Sequence, residues 1–213
     1  MLKTVRMLFE KRGRAKYISH LDLNRTMIRA VRRAGIPIWY TEGFNRHPYI
    51  TFAAPLSLGF ESVGELIELK LTEDMPLDEV TAHMNAAMPE GLRVVETFEA
   101  VKKVRELHSA EYEITFSCAA ETVCNLLAQT EILVEKKTKK KEFKTIDIRP
   151  AFDNATVTPY ENGCKMAVTL PCNSENTVNP ILFVTALAAC VNTSFVAQVL
   201  RLRLLDADGN VFR

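Results

Sequence analysis

Along this chain the apolar residues change their spacing in a fixed order, and the order is run through twice. A period of two marks strands and a period of 3.6 marks helices, so each change of period marks an element boundary. Leu2 to Phe9 reads as a strand and is followed by the basic loop Glu10 to Lys16. Ser19 then stands as an N-cap before "HLDLNRTMIRAVRRAG", with Asp22 three residues on and Gly35 at the stop, the signals that open and close a helix. A short strand is expected at Ile36 to Tyr40 and a proline-interrupted extended segment at Ile50 to Gly59. "ELIELKL" at Glu65 to Leu71 alternates, Pro76 opens a helix through Ala87, and Leu92 to Phe98 gives a further strand.

The second half begins the same course at Glu111 to Ser117. A helix over Ala119 to Gln129, strands at Ile132 to Lys136 and Phe143 to Ile148, and a hairpin around Asn162-Gly163 follow. A helix at Val178 to Val191 and a last strand at Phe195 to Leu205 complete it. The expected fold class is α+β: two tandem ferredoxin-like βαββαβ units, the second with an extra β-hairpin. Residues 1–100 would form the first unit and residues 110–213 the second, with the boundary near Val101 to Ser109.

Charge separates the two ends. Through residue 50, eleven lysines and arginines stand against three acids, a net +8, while the remainder carries −7. An anionic partner for the N-terminal part is the expectation, nucleic acid being the commonest. On a helical wheel Asp22, Arg25, Arg29, Arg32 and Arg33 fall within an arc of about 100°, opposite Leu23, Met27, Ala30, Val31 and Ala34. One face is core and the other a guanidinium stripe. A solvated helix face explains such a stripe by itself; the adjoining loop Lys11-Arg12-Gly13-Arg14-Ala15-Lys16 tips the reading towards phosphate contacts.

The stretch "EGFNRHP", Glu42 to Pro48, reads as a turn, for Asn45 tolerates left-handed backbone and Pro48 stiffens the exit. A turn alone has no need of Phe44, Arg46 and His47. Phe44 is expected as an apolar plug beneath the loop, with base stacking as the alternative. Asn45, Arg46 and His47 are candidates for nucleotide contacts. His20 falls on the apolar side of its helix as a half-buried histidine; facing one cleft with His47, it would supply half of an acid–base pair for phosphodiester cleavage. The lysine run Glu135 to Lys144 reads as a solvated strand end, or else as a second phosphate-contacting edge.

The N-terminal residues lack an uninterrupted apolar core of signal-peptide type, and no later run reaches spanning length. No membrane association is expected. Five cysteines without a C-x-x-C pair read as buried, reduced thiols of a cytoplasmic protein. Neither a G-x-x-x-x-G-K-[ST] loop nor a G-x-G-x-x-G, H-E-x-x-H or G-x-S-x-G motif occurs, so no cofactor or metal is called for.

The motifs "YISHLDLNR", "RRAGIP", "GFNRHP" and "PLSLG" within Lys16 to Glu65, with "KTIDIRP" at Lys144 to Pro150, resemble those of the radical-SAM-linked bacterial domain of unknown function. Arg46 stands where that family's pattern has a proline. The resemblance implies a radical SAM protein as partner, since the domain occurs alone or fused to the C-terminus of one. This chain has no C-x-x-x-C-x-x-C cluster motif of its own. The tandem arrangement is also similar to that of CRISPR RNA-processing endonucleases. The expected function is an RNA-binding accessory protein that presents RNA, tRNA or rRNA, to a radical SAM modification enzyme. The alternatives are a metal-independent endoribonuclease using His20 and His47, and a scaffold whose arginines dock the radical SAM partner.

Overall fold

The computed structural model describes residues 2–137, 143–173, 176–191 and 194–213. In chain order its elements are β1 (Lys3–Lys11), α1 (His20–Arg33), β2 (Ile50–Phe52), β3 (Glu61–Leu71), α2 (Leu77–Ala87) and β4 (Leu92–Glu99). There follow β5 (Ser109–Phe116), α3 (Ala120–Leu127), β6 (Leu133–Lys137), β7 (Phe143–Asp147), β8 (Thr156–Tyr160), β9 (Gly163–Pro171), α4 (Ile181–Cys190) and β10 (Ala197–Leu205). The chain is α+β, with four α-helices among the described residues. None of them is long and apolar enough to cross a membrane.

Two compact units result, Met1–Leu107 with Arg201–Arg213, and His108–Leu200. The order of elements alone assigns everything after residue 110 to the second unit; the final segment instead returns to the first. Ile36 to Tyr40 also differs from expectation. It makes only isolated bridges, Ile38 to Leu71 and Tyr40 to Pro48, because Pro37 lacks an N–H on one side of Ile38 and β2 takes the edge of β3 from Leu69 onwards on the other.

In the first unit β1 pairs antiparallel with β3 on one side and with β4 on the other, and β2 pairs with β3. Val5, Met7 and Phe9 of β1 and Ile67, Leu69 and Leu71 of β3 form the core face, against which α1 lays Leu23, Met27, Ala30 and Val31. Apart from Ala30, each of these buried side chains contributes about 1.5–3 kcal/mol. β10 comes close to β3 at Gly64, where an added Cβ would lie 2.4 Å from the Leu202 carbonyl oxygen.

On the opposite face of β1 lies Arg6, 0% exposed. It pairs with Glu68, donates to the Lys102 carbonyl and lies 4.6 Å from the centre of the Phe212 ring. Asp206 brings that phenylalanine back. Its Oδ1 accepts the N–H groups of Asp208 and Asn210 at 3.0 and 2.9 Å, closing a turn after β10, and its other oxygen pairs with Lys102. The Lys102 ammonium, together with those N–H groups, holds the Asp206 carboxyl below the usual aspartate value of 3.8. A depressed acid contributes stability above its unfolded pKa and loses it as pH falls through its folded one. Thermal melts of Asp206→Asn should therefore sit below wild type at neutral pH, with the gap narrowing as pH falls below about 4.

The second unit has the strand order β10-β5-β9-β8 and a separate β6–β7 hairpin. Phe116, Phe152 and Phe183 centre its core, with ring centroids 6.3 Å apart for Phe116–Phe183 and 4.8 Å for Phe152–Phe183. Cys164 is buried in this unit, and burial raises its thiol to about 11. Cys124 and Cys190 are exposed, against the expectation of buried thiols.

Candidate nucleic-acid interface

α1 is bounded as its sequence dictates. The Ser19 hydroxyl oxygen accepts the Asp22 N–H at 3.1 Å, a cap of about 1 kcal/mol. At the other end Gly35 takes φ +66°, its N–H reaches the Arg32 carbonyl, and that of Ile36 reaches Val31. These two bonds form a Schellman closure, which needs a residue free to adopt positive φ.

With the apolar positions fixed against the sheet, Arg25, Arg29, Arg32 and Arg33 are all exposed. Arg25 meets Asp22 at 3.3 Å, and Arg33 turns aside to donate to the Ala87 carbonyl of α2 at 2.6 Å. Arg32 lies 5.8 Å from the centre of the Tyr40 ring. The Arg29 side chain, at the middle of the stripe, has no hydrogen bond or ion pair among the described residues. Asp22 offsets one of the four charges. With Arg33 turned to α2, Arg25, Arg29 and Arg32 present a guanidinium surface that suits phosphate oxygens.

The basic loop is a 3-10 turn, Gly13–Tyr17. Glu61 gathers it: its carboxylate accepts the Gly13 N–H at 3.0 Å and lies 3.9 Å from Arg12 and 3.8 Å from Lys16. Arg14 is exposed and has no partner among the described residues. Lys11 is a correction. Rather than lying on the loop surface it is 1% exposed, so the solvent-facing part of the loop begins at Arg12. Its ammonium donates to the carbonyls of Lys16 and Ile18 at 3.3 and 3.4 Å, and burial lowers its pKa.

Beside Lys11 lies a buried pair that the sequence reading missed. Arg201, 3% exposed, clasps both oxygens of Glu65, 1% exposed, at 3.0 and 3.2 Å. Its other terminal nitrogen donates to the Pro55 carbonyl at 2.9 Å. Lys11 and Arg201 thus fasten the segments "KYIS" and "AAP" by their backbone carbonyls. Alternation gave a signal for two of the three: Lys11 is in phase with Val5, Met7 and Phe9, and Glu65 with Ile67, Leu69 and Leu71.

The segment between α1 and β2 closes as a hairpin. The Thr41 N–H donates to the His47 carbonyl and the Tyr49 N–H to the Trp39 carbonyl, each at 2.9 Å. The His47 Nδ1 sits 3.0 Å from the Asn45 carbonyl oxygen and 3.1 Å from the Thr41 hydroxyl. His47 is therefore a brace of the loop as well as an exposed ring. Arg46 and the Asn45 side chain are exposed and have no partners among the described residues. Phe44 overturns the expected plug, for it is 109% exposed.

His20 is exposed rather than half-buried, its ring 4.9 Å from that of Phe52. Among the described residues no hydrogen bond or ring contact joins His20 to His47. In the second unit, Asp147 of "IDIRP" accepts the N–H groups of Ile132 and Arg149 at 2.8 and 2.9 Å, which hold its carboxyl below the usual value. The Arg149 side chain pairs with Asp153 at 2.6 Å. Of the lysine run, residues 138–142 lie outside the described residues.

A crystal structure of an unknown protein from Galdieria sulphuraria is 12% identical, with a TM-score of 0.30 over 94% of this chain and 99% of that one. No curated protein matches the chain. The family model described as "Uncharacterized protein conserved in bacteria (DUF2344)" matches residues 4–180, which include every element of the arginine face, the basic loop and the 40–48 hairpin. The chain belongs to this bacterial family, DUF2344.

Proposed function

We infer that the protein is an RNA-binding accessory protein that works with a radical SAM RNA-modification enzyme, presenting tRNA or rRNA to it. One observation carries the RNA part: the exposed guanidiniums of Arg25, Arg29 and Arg32 share a single helix face on which Asp22 is the only acid. Arg12, Arg14 and Lys16 extend that charge into the preceding turn. Asn45, Arg46 and His47 are the nucleotide-contacting residues. The radical SAM partnership rests on the motif resemblance. The sheet orders, β4-β1-β3 with β2 on β3 and β10-β5-β9-β8, support reading each unit as a ferredoxin-like βαββαβ, the second carrying β6–β7 as its extra hairpin.

The test is RNA affinity as a function of salt. Four phosphate contacts on a single strand give log K a slope of about −3 against log salt. A flat dependence, with a radical SAM protein that co-purifies after nuclease treatment, would replace this reading with the docking scaffold. RNA cleavage that disappears in both His20→Gln and His47→Gln would replace it with the endoribonuclease.

A further inference from the structure

The tip of the 40–48 hairpin exposes an aromatic ring that its own fold does not use. Closure of the hairpin is accounted for by Thr41, Asn45 and His47 through their hydrogen bonds. Gly43, at φ +111°, supplies the left-handed backbone. None of these contacts involves the Phe44 ring, which stands wholly in solvent. An unburied phenyl forgoes the stabilisation that burial would give, so a partner that covers it recovers that stabilisation on binding.

The surroundings select the partner. Glu42, Gly43, Asn45, Arg46 and His47 are all exposed and are polar, charged or lack a side chain, so Phe44 is a lone ring in a polar setting. A protein interface or a lipid surface calls for a contiguous apolar area, which this tip does not offer. A nucleobase needs one flat face and nearby cations for its phosphates. Those cations are present. Arg46 follows two residues on, without a partner among the described residues, and the hairpin stem is held to the arginine helix through the 5.8 Å contact of Arg32 with Tyr40. Four residues span at most about 14 Å, so the Phe44 Cα lies within that distance of the Tyr40 Cα, whose ring meets Arg32.

We propose that Phe44 is a stacking platform for an unpaired nucleobase, with the phosphates of the same strand on Arg46 and the α1 arginines. The preferred ligand is then single-stranded or looped RNA rather than regular duplex, whose bases are already stacked. This rests on the RNA-binding reading above and specifies its substrate class.

The experiment uses the full chain with a short single-stranded RNA carrying one 2-aminopurine, and the same RNA annealed as a blunt duplex. Wild type should bind the single strand more tightly and change the 2-aminopurine fluorescence. Phe44→Ala should bind the single strand about 5–150-fold more weakly, with its salt slope and its duplex affinity unchanged; Phe44→Trp should restore binding. Being fully exposed, position 44 should alter the melting temperature little in either variant. Equal single-strand affinity of wild type and Phe44→Ala, with salt-dependent binding intact, would overturn the stacking platform and leave the RNA-binding reading standing. Absence of salt-dependent binding to either RNA would overturn both. Phe44-dependent binding to anionic vesicles, without any Phe44 effect on RNA, would overturn the nucleobase in favour of a lipid surface.

Discussion

Arg201→Met should destabilise the first unit by about 3–5 kcal/mol, the usual consequence of leaving one partner of a buried ion pair alone. Glu65 would remain 1% exposed without the guanidinium that holds both its oxygens. Removing the donor to the Pro55 carbonyl would also release the segment between β2 and β3. Lys11 is near enough to the carboxylate to raise its own pKa, although burial of the ammonium outweighs that; it offsets only part of the loss. Urea unfolding should show a lower midpoint at unchanged m. Adding Glu65→Leu to Arg201→Met should recover stability, because two apolar groups of similar size need no counter-charge. A double variant as unstable as the sum of its singles would show that the pair is not the energetic unit.

Arg25→Ala combined with Arg29→Ala should reduce RNA affinity by roughly 10- to 100-fold at low salt and make the slope of log K against log salt shallower by about 1 to 2 units. Both side chains are exposed, and among the described residues the ion pair that this double change breaks is Arg25 with Asp22 at 3.3 Å, which is worth little at a surface. The melting temperature should stay within about a degree of wild type. An unchanged slope would assign these arginines to an ordinary solvated face.

Short-range pattern made much of this architecture legible. The arginine face followed from the 3.6 period alone, since burying Leu23, Met27 and Val31 leaves Arg25, Arg29 and Arg32 pointing outwards. Ser19 and Gly35 marked the ends of that helix because capping depends only on neighbouring residues. Phe44 was misread for the opposite reason. An apolar residue in a loop is placed by what lies beneath it, and the hairpin that carries Phe44 clear of the surface is closed by the backbone bonds of Thr41 with His47 and of Tyr49 with Trp39, which composition does not report.

Lys11 shows where local pattern and tertiary structure divide. Reading the first strand as ending at Phe9 left Lys11 in a basic loop, whereas β1 continues to Lys11 and the same period of two turns it inwards. Sequence by itself determined the α+β class, the apolar face that α1 lays on the sheet, and the concentration of positive charge in the first 50 residues. Only the tertiary structure decided that β10 ends in the first unit. That return places Arg201 against Glu65 across 136 residues of sequence and supplies the counter-charge that lets Glu65 remain in the core. Local periodicity specifies that a side chain faces inwards; its partner there is set by long-range strand pairing, which depends on the packing of the whole unit.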